Sequence, residues 1–135
     1  MENFIGKWQL SENKNLEKFL EFYGYSWFSI KAALIANVDV YFLKNSDANS
    51  LKRVIDSTFL KGEEIYDFTG KIITNSENLK KTHYIKDGEI FSNVNLDNKN
   101  WTEHLVIQQD KLILQRNFNY KDEDLSCTQI FFKAN

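Results

Sequence analysis

Proline is absent from this chain of 135 residues, and cysteine occurs once. A lone thiol, Cys127, rules out an internal disulfide, and the opening stretch MENFIGKWQL carries no apolar signal core. Both features point to a reducing interior, most simply the cytoplasm. No apolar run approaches the roughly 20 residues needed to span a bilayer. Charge of one sign is also missing. The 17 basic and 19 acidic residues are mixed along the chain and leave a net charge of −2. No basic stripe suits nucleic acid, and no acidic tail argues for disorder. His83 and His104 stand at no metal-ligand spacing from each other or from Cys127, so both are expected as surface strand residues. Cys127 has no activating neighbour in sequence and is expected as a small packed side chain. No cofactor is implied, and the length predicts one domain over residues 1–135, which is expected as a monomer.

What is present is aromatic. Aromatics reach 15% of the chain, 11 of them Phe, which predicts either a dense core or a large apolar lining. Phe4–Leu10 alternates and reads as a strand. In SENKNLEKFLEFYG the apolar residues Leu16, Phe19, Leu20 and Tyr23 follow a helical period, with Asn13 or Asn15 as N-cap and Gly24 as the stop. SWFSIKAALIAN predicts a second helix capped by Ser26 and ending at Asn37. The two helices are thus expected over Asn15–Gly24 and Ser26–Asn37. After Asn37 the period changes from 3.6 to 2. VDVYFLK, LKRVIDSTF, EEIYDF, KIIT, KKTHYIK, EIFSNVNL, NWTEHLVI, KLILQRNFNY and LSCTQIFF read as strands. They are separated by NSDANS, Thr69-Gly70, NSEN, KDG, DNKN, QQD and KDED. Asp87-Gly88 is the strongest turn, because that pair supports the positive φ of a type I′ hairpin. Ten short strands joined by tight turns predict an all-β protein: a closed antiparallel ten-stranded barrel of calycin type, capped by a helix-turn-helix. A barrel of that size is wider than side chains can fill and should enclose a cavity.

Several segments resemble the intracellular lipid-binding proteins, the fatty-acid- and retinoid-binding group. Phe4-Ile5-Gly6-Lys7-Trp8-Gln9-Leu10 is similar to that family's opening F-x-G-x-W-x-L. Asn15-Leu16-Glu17-Lys18-Phe19-Leu20 is similar to its first-helix motif, with Leu16 where an aromatic is usual. Gly24 falls at the inter-helix glycine, and Ser57-Thr58-Phe59 matches an S-T-F at the barrel mouth. The resemblance implies a polar cluster in the cavity that anchors a ligand headgroup. Many fatty-acid binders end in R-x-Y, whereas this chain has Gln129-Ile130-Phe131, which looks like the retinol-binding branch. Gln129 and Phe131 are then expected to face the cavity and Ile130 to face outward. Trp101-Thr102-Glu103 resembles that branch's W-[TK]-Q, provided the turn near Gln108-Gln109 is about two residues longer than usual in the family; without that lengthening the match puts Leu105 at the headgroup position.

The alternation of Leu112, Leu114, Arg116, Phe118 and Tyr120 puts Arg116 on the inward phase or else marks a register break that turns it to solvent. An inward charge needs a partner, which Glu103 on the neighbouring strand could supply. Trp8 is expected in the barrel-bottom core. Tyr25, Trp27 and Phe28 either pack on the barrel mouth or stand exposed, with Lys18 and Lys31, as a portal touching membranes transiently. The expected ligand contacts are Gln129, Phe131, Arg116, Glu103, Trp101, Phe59, Ser57 and Trp27. The resulting expectation is a non-catalytic carrier of a long-chain fatty acid or similar hydrophobic ligand, with a retinoid as the alternative. An enzyme using Glu103 or an Asp–His pair, and a pure interaction module, are the competing readings.

Overall fold

The computed structural model describes residues 1–47, 49–74 and 78–134. The described residues form ten strands and two α-helices. In chain order these are β1 (Gly6–Lys14), α1 (Leu16–Tyr23), α2 (Trp27–Leu34), β2 (Val38–Lys44), β3 (Ser50–Ser57) and β4 (Lys61–Asp67). They continue with β5 (Ile73–Thr74), β6 (Leu79–Lys86), β7 (Glu89–Leu96), β8 (Lys99–Gln108), β9 (Lys111–Tyr120) and β10 (Glu123–Lys133). All neighbours are antiparallel, in the order β4-β3-β2-β1-β10-β9-β8-β7-β6-β5. The pairing of β1 with β10 wraps this meander into a barrel. Its backbone ladder stays open at one seam, between β4 and β5, so the barrel is nearly closed.

Three hairpins turn on two residues that both have positive φ: Asp87-Gly88, Gln109-Asp110 and Lys121-Asp122. That twist matches the right-handed twist of the flanking strands. No lengthened loop is found near Gln108-Gln109, contrary to expectation. β8 runs to Gln108, which pairs with Lys111, so the turn is as tight as its neighbours. The NSEN separator includes Asn75–Glu77, which lie outside the described residues.

The chain opens with a 3₁₀ turn over Glu2–Phe4 and not with a strand at Phe4. The Trp8 indole donates to the Phe4 carbonyl at 2.9 Å, which holds that turn against the barrel floor. The strand expected to end at Leu10 continues through Lys14, past a bulge between Leu10 and Glu12. Helix α1 therefore begins only at Leu16. Asn15 is its N-cap by position, but it adopts a left-handed conformation and its amide donates to the Ser126 carbonyl instead of capping. Gly24 ends α1 at φ 110°, where its N–H bonds back to Leu20 and Glu21; a side chain there would be strained. Ser26 caps α2 through its hydroxyl, which accepts from the Ser29 N–H. That helix stops at Leu34, short of the expected Asn37.

Two apolar clusters fill the barrel from its ends. The floor holds Phe4, Trp8, Phe42, Tyr66, Leu112 and Phe131. The upper cluster joins α1 and α2, through Phe19, Phe22 and Ile30, to Trp101, Phe118 and Cys127 on the wall.

Candidate functional site

A charged belt lies between these clusters, set on the inward phase of seven strands. Each member alternates with outward residues, so the strand period alone carries it inside. On β3, Arg53 shares its face with Leu51 and Ile55 and pairs in register with Glu64 of β4. Arg53 Nη2 donates to Glu64 Oε2 at 2.9 Å. Lys81 of β6 reaches Glu64 Oε1 at 2.8 Å across the seam where the backbone ladder is open. Side chains thus close the barrel where main chain does not. Lys81 also contacts Glu103 of β8 at 3.5 Å. Glu103 stands opposite Arg116 of β9, with Arg116 Nε 3.4 Å from Glu103 Oε2. The Trp101 indole donates to the same oxygen at 3.0 Å. Arg116 Nη1 donates to Gln129 Oε1 at 2.7 Å, and Gln129 Nε2 donates to Asn13 Oδ1 at 3.0 Å. The belt therefore runs unbroken from Arg53 to Asn13.

The electrostatics follow from these contacts. Burial alone would raise the Glu103 pKa, but Lys81, Arg116, the Trp101 indole and Arg53 together hold it well below the usual carboxylate range. Glu64 is likewise depressed, burial being outweighed by Arg53 and Lys81. Burial pushes the Cys127 thiol up, which keeps it protonated and unreactive. Counted among the described buried side chains and Arg116, the belt carries three cations (Arg53, Lys81, Arg116) against two carboxylates (Glu64, Glu103).

Above the belt lies a cavity of about 300 Å³ under the helical pair. That volume stands at the lower end of small-molecule sites. Its walls include Arg53, Glu64, Lys81, Glu103, Arg116 and Gln129, together with Phe131, Trp101, Phe59 and Ser57. The Arg116 guanidinium also sits 5.0 Å from the Phe19 ring centre, which ties the belt to α1. A wider hollow of about 760 Å³ crosses the outer face, lined by Thr82, Asn93, Thr102 and Asn117.

Of the eight expected contacts, the structure gathers Gln129, Phe131, Arg116, Glu103, Trp101, Phe59 and Ser57 around the cavity. Trp27 is not among its walls. It is 64% exposed on the outer side of α2, packed edge-on against Phe28, which is 79% exposed. Their position in the first turn of α2 points them away from the barrel. His83 also departs from expectation, being fully buried and not on the surface. It follows Lys81 on the inward phase of β6, stacks on Tyr66 at 4.4 Å and hydrogen-bonds Ser92 Oγ through Nδ1 at 2.6 Å. Arg53, Glu64 and Lys81 were missed altogether. The signal for them was strand phase: Arg53 shares the face of Leu51 and Ile55, and Glu64 the face of Tyr66. No cluster of metal-ligating side chains occurs among the described residues.

No protein-family model matches the sequence, and no curated protein sequence matches it. Solved structures do. Fatty-acid-binding protein 1 of Echinococcus granulosus superposes with a TM-score of 0.87 at 16% identity, covering 100% of both chains. A Schistosoma mansoni fatty acid binding protein in complex with arachidonic acid gives 0.86 at 18% identity, over 100% of this chain and 98% of that one. The fluorescent protein UnaG gives 0.85 at 16% identity, over 98% of each. The fold is therefore that of the intracellular lipid-binding proteins. At these identities the likeness concerns architecture, and the residues of the belt must argue the ligand.

Proposed function

We propose that the protein is a non-catalytic carrier that encloses a long-chain fatty acid in the barrel cavity. The observation that carries this reading is the charge imbalance of the belt, three cations to two carboxylates. An uncompensated charge inside a protein costs several kcal/mol. A ligand carboxylate beside Arg116 and Gln129 brings the interior to neutrality through charge-assisted hydrogen bonds. The acyl chain then lies along Phe131, Trp101 and Phe59, with Ser57 toward the mouth. Burying it contributes roughly 0.8 kcal/mol per CH₂ before ordering costs. The two fatty-acid-binding proteins of like fold support this class of cargo. We place the carrier in the cytoplasm as a monomer, its exposed Trp27 and Phe28, beside Lys31, making brief contact with membranes during transfer.

A retinoid alcohol is the alternative, and Gln129 is the residue that favours it. Against it, Gln129 stands directly beside the Arg116 cation, whose charge a neutral alcohol leaves uncompensated. Replacing Arg116 by Ala separates the two readings. Fatty-acid affinity should fall by about 1.5–3 kcal/mol, roughly 10- to 150-fold, while retinol affinity barely moves. An equal loss for both ligands, or none for the fatty acid, overturns the assignment.

A further inference from the structure

The belt is a row of alternating sign. Arg53 meets Glu64 at 2.9 Å, Glu64 meets Lys81 at 2.8 Å, Lys81 meets Glu103 at 3.5 Å and Glu103 meets Arg116 at 3.4 Å. Such a row has a cation at both ends, so one positive charge exceeds what its carboxylates offset. All five side chains wall the cavity. Two further charged walls, Lys61 and Glu63 at the mouth, do not alter the sum. They are opposite in sign and engaged at the surface, Lys61 with Asp56 at 3.8 Å and Glu63 with Lys52 at 3.2 Å. His83, held neutral by burial, adds no charge. Among the described residues the excess therefore belongs to the barrel itself, loaded or unloaded.

The two ends of the row differ. Arg53 donates to one Glu64 oxygen while Lys81 takes the other. Arg116 shares its Glu103 oxygen with the Trp101 indole and stands 3.4 Å from it, beyond the usual N–H···O range. Its shortest contact is with a neutral group, Gln129 Oε1 at 2.7 Å. Its cross-strand neighbour Cys127 offers a protonated thiol, and Phe19 a ring face at 5.0 Å; neither carries charge. The excess is thus concentrated at Arg116. A guanidinium has five N–H donors. Glu103 and Gln129 engage Nε and Nη1, which leaves donors for a guest in the cavity that Arg116 lines.

A fatty acid supplies one negative charge there, but a carrier also passes through an unloaded state, in which the same charge needs compensation. We propose that the unloaded cavity takes up one small monovalent inorganic anion, a halide such as chloride, against Arg116, and that the fatty acid enters by exchange with it. The excess of one sets the valence. A doubly charged anion such as sulfate would turn one surplus positive charge into one surplus negative charge beside Glu103. Space is sufficient: the cavity of about 300 Å³ is about ten times a water molecule's share of liquid volume. The exchange is electroneutral, a carboxylate in and a halide out. Cargo affinity must then fall as halide concentration rises. The exchange rests on the fatty-acid reading above, whereas the anion site rests on the belt alone.

Two measurements test this. The first follows the chloride resonance by NMR, which broadens when the ion exchanges onto a protein. Delipidated protein in sodium chloride should broaden it well beyond Arg116→Gln, and one equivalent of octadecanoic acid should remove the difference. Retained cooperative unfolding certifies the variant, and displacement by the acid is read on the unaltered protein. In the second, octadecanoic acid is titrated calorimetrically at constant ionic strength, with sodium sulfate replaced by sodium chloride. Raising chloride about tenfold in this way should weaken the acid by about three- to tenfold. Equal broadening by the two proteins overturns the anion site, with the carrier reading intact where the acid still binds. Broadening that persists once the acid is bound, or an affinity indifferent to chloride, overturns the exchange. Failure of the acid to bind, with Arg116-dependent broadening present, defeats the carrier reading and upholds the anion site.

Discussion

Replacing Glu103 by Leu strikes the belt at its centre. Glu103 is 6% exposed and holds Lys81 at 3.5 Å, Arg116 at 3.4 Å and the Trp101 indole at 3.0 Å. Without it Lys81 keeps only Glu64 and Arg116 keeps only Gln129 among these contacts. The interior excess rises from one positive charge to two. Removing one partner of a buried pair costs about 3–5 kcal/mol. Small domains have only about 5–15 kcal/mol of stability in total, so the variant should unfold far earlier. In urea, followed by circular dichroism, the midpoint should drop by about 1–3 M. The second substitution is the sharper test. Arg116→Leu added to Glu103→Leu restores the original excess of one and should recover at least half of the lost stability. A loss under about 1 kcal/mol for Glu103→Leu would be the behaviour of a surface pair and would refute the reasoning. A double variant no better than the single would refute it equally.

Stability should also respond to mild acid through His83. Burial holds its imidazole down to about 4, although Glu64 and Glu103 pull it up while Lys81 and Arg53 push it down. The folded pKa lies below the ordinary 6.5, so between those values the unfolded chain binds more protons. The contribution is complete above about pH 6.5 and is lost as pH falls toward 4, at no more than about 1.4 kcal/mol per pH unit. His83→Gln should flatten the dependence between pH 6.5 and 5 in urea titrations; an unchanged slope in the variant would show that other groups cause it. At the helical pair, changing Trp27 and Phe28 together to Ala should slow ligand transfer to vesicles and leave equilibrium affinity within about twofold, because neither ring lines the cavity. Equal transfer rates for the two proteins would remove the portal from the account.

The barrel was legible because its signals are local. The change of period after Asn37, and turn pairs such as Asp87-Gly88, need only near neighbours in sequence to be read. Boundaries failed where tertiary contacts decide them. Ser11–Lys14 carries no strand alternation of its own, yet it extends β1 because β10 lies beside it. Asn15 resembles a capping residue, but its amide is spent on Ser126, far along the chain. The belt was half legible. Arg116 stood out because it interrupts a run of Leu and Phe on one face of β9. Lys81 and His83 did not, since two polar residues on one phase of β6 look like a solvent face. Their partner Glu64 lies on β4, across a seam with no backbone pairing, and no strand pattern links those positions. Compensation between charges is a property of the assembled barrel, and strand alternation does not encode it.

The central claim is that this interior receives a carboxylate lipid. Isothermal titration of delipidated protein with octadecanoic acid, set against octadecanol and retinol, tests it most directly. The account predicts micromolar or tighter binding of the acid, with the two neutral alcohols at least about tenfold weaker, because they leave the third cation uncompensated. Alcohols that match the acid would contradict the charge argument, and a chain that binds none of the three would contradict the carrier itself.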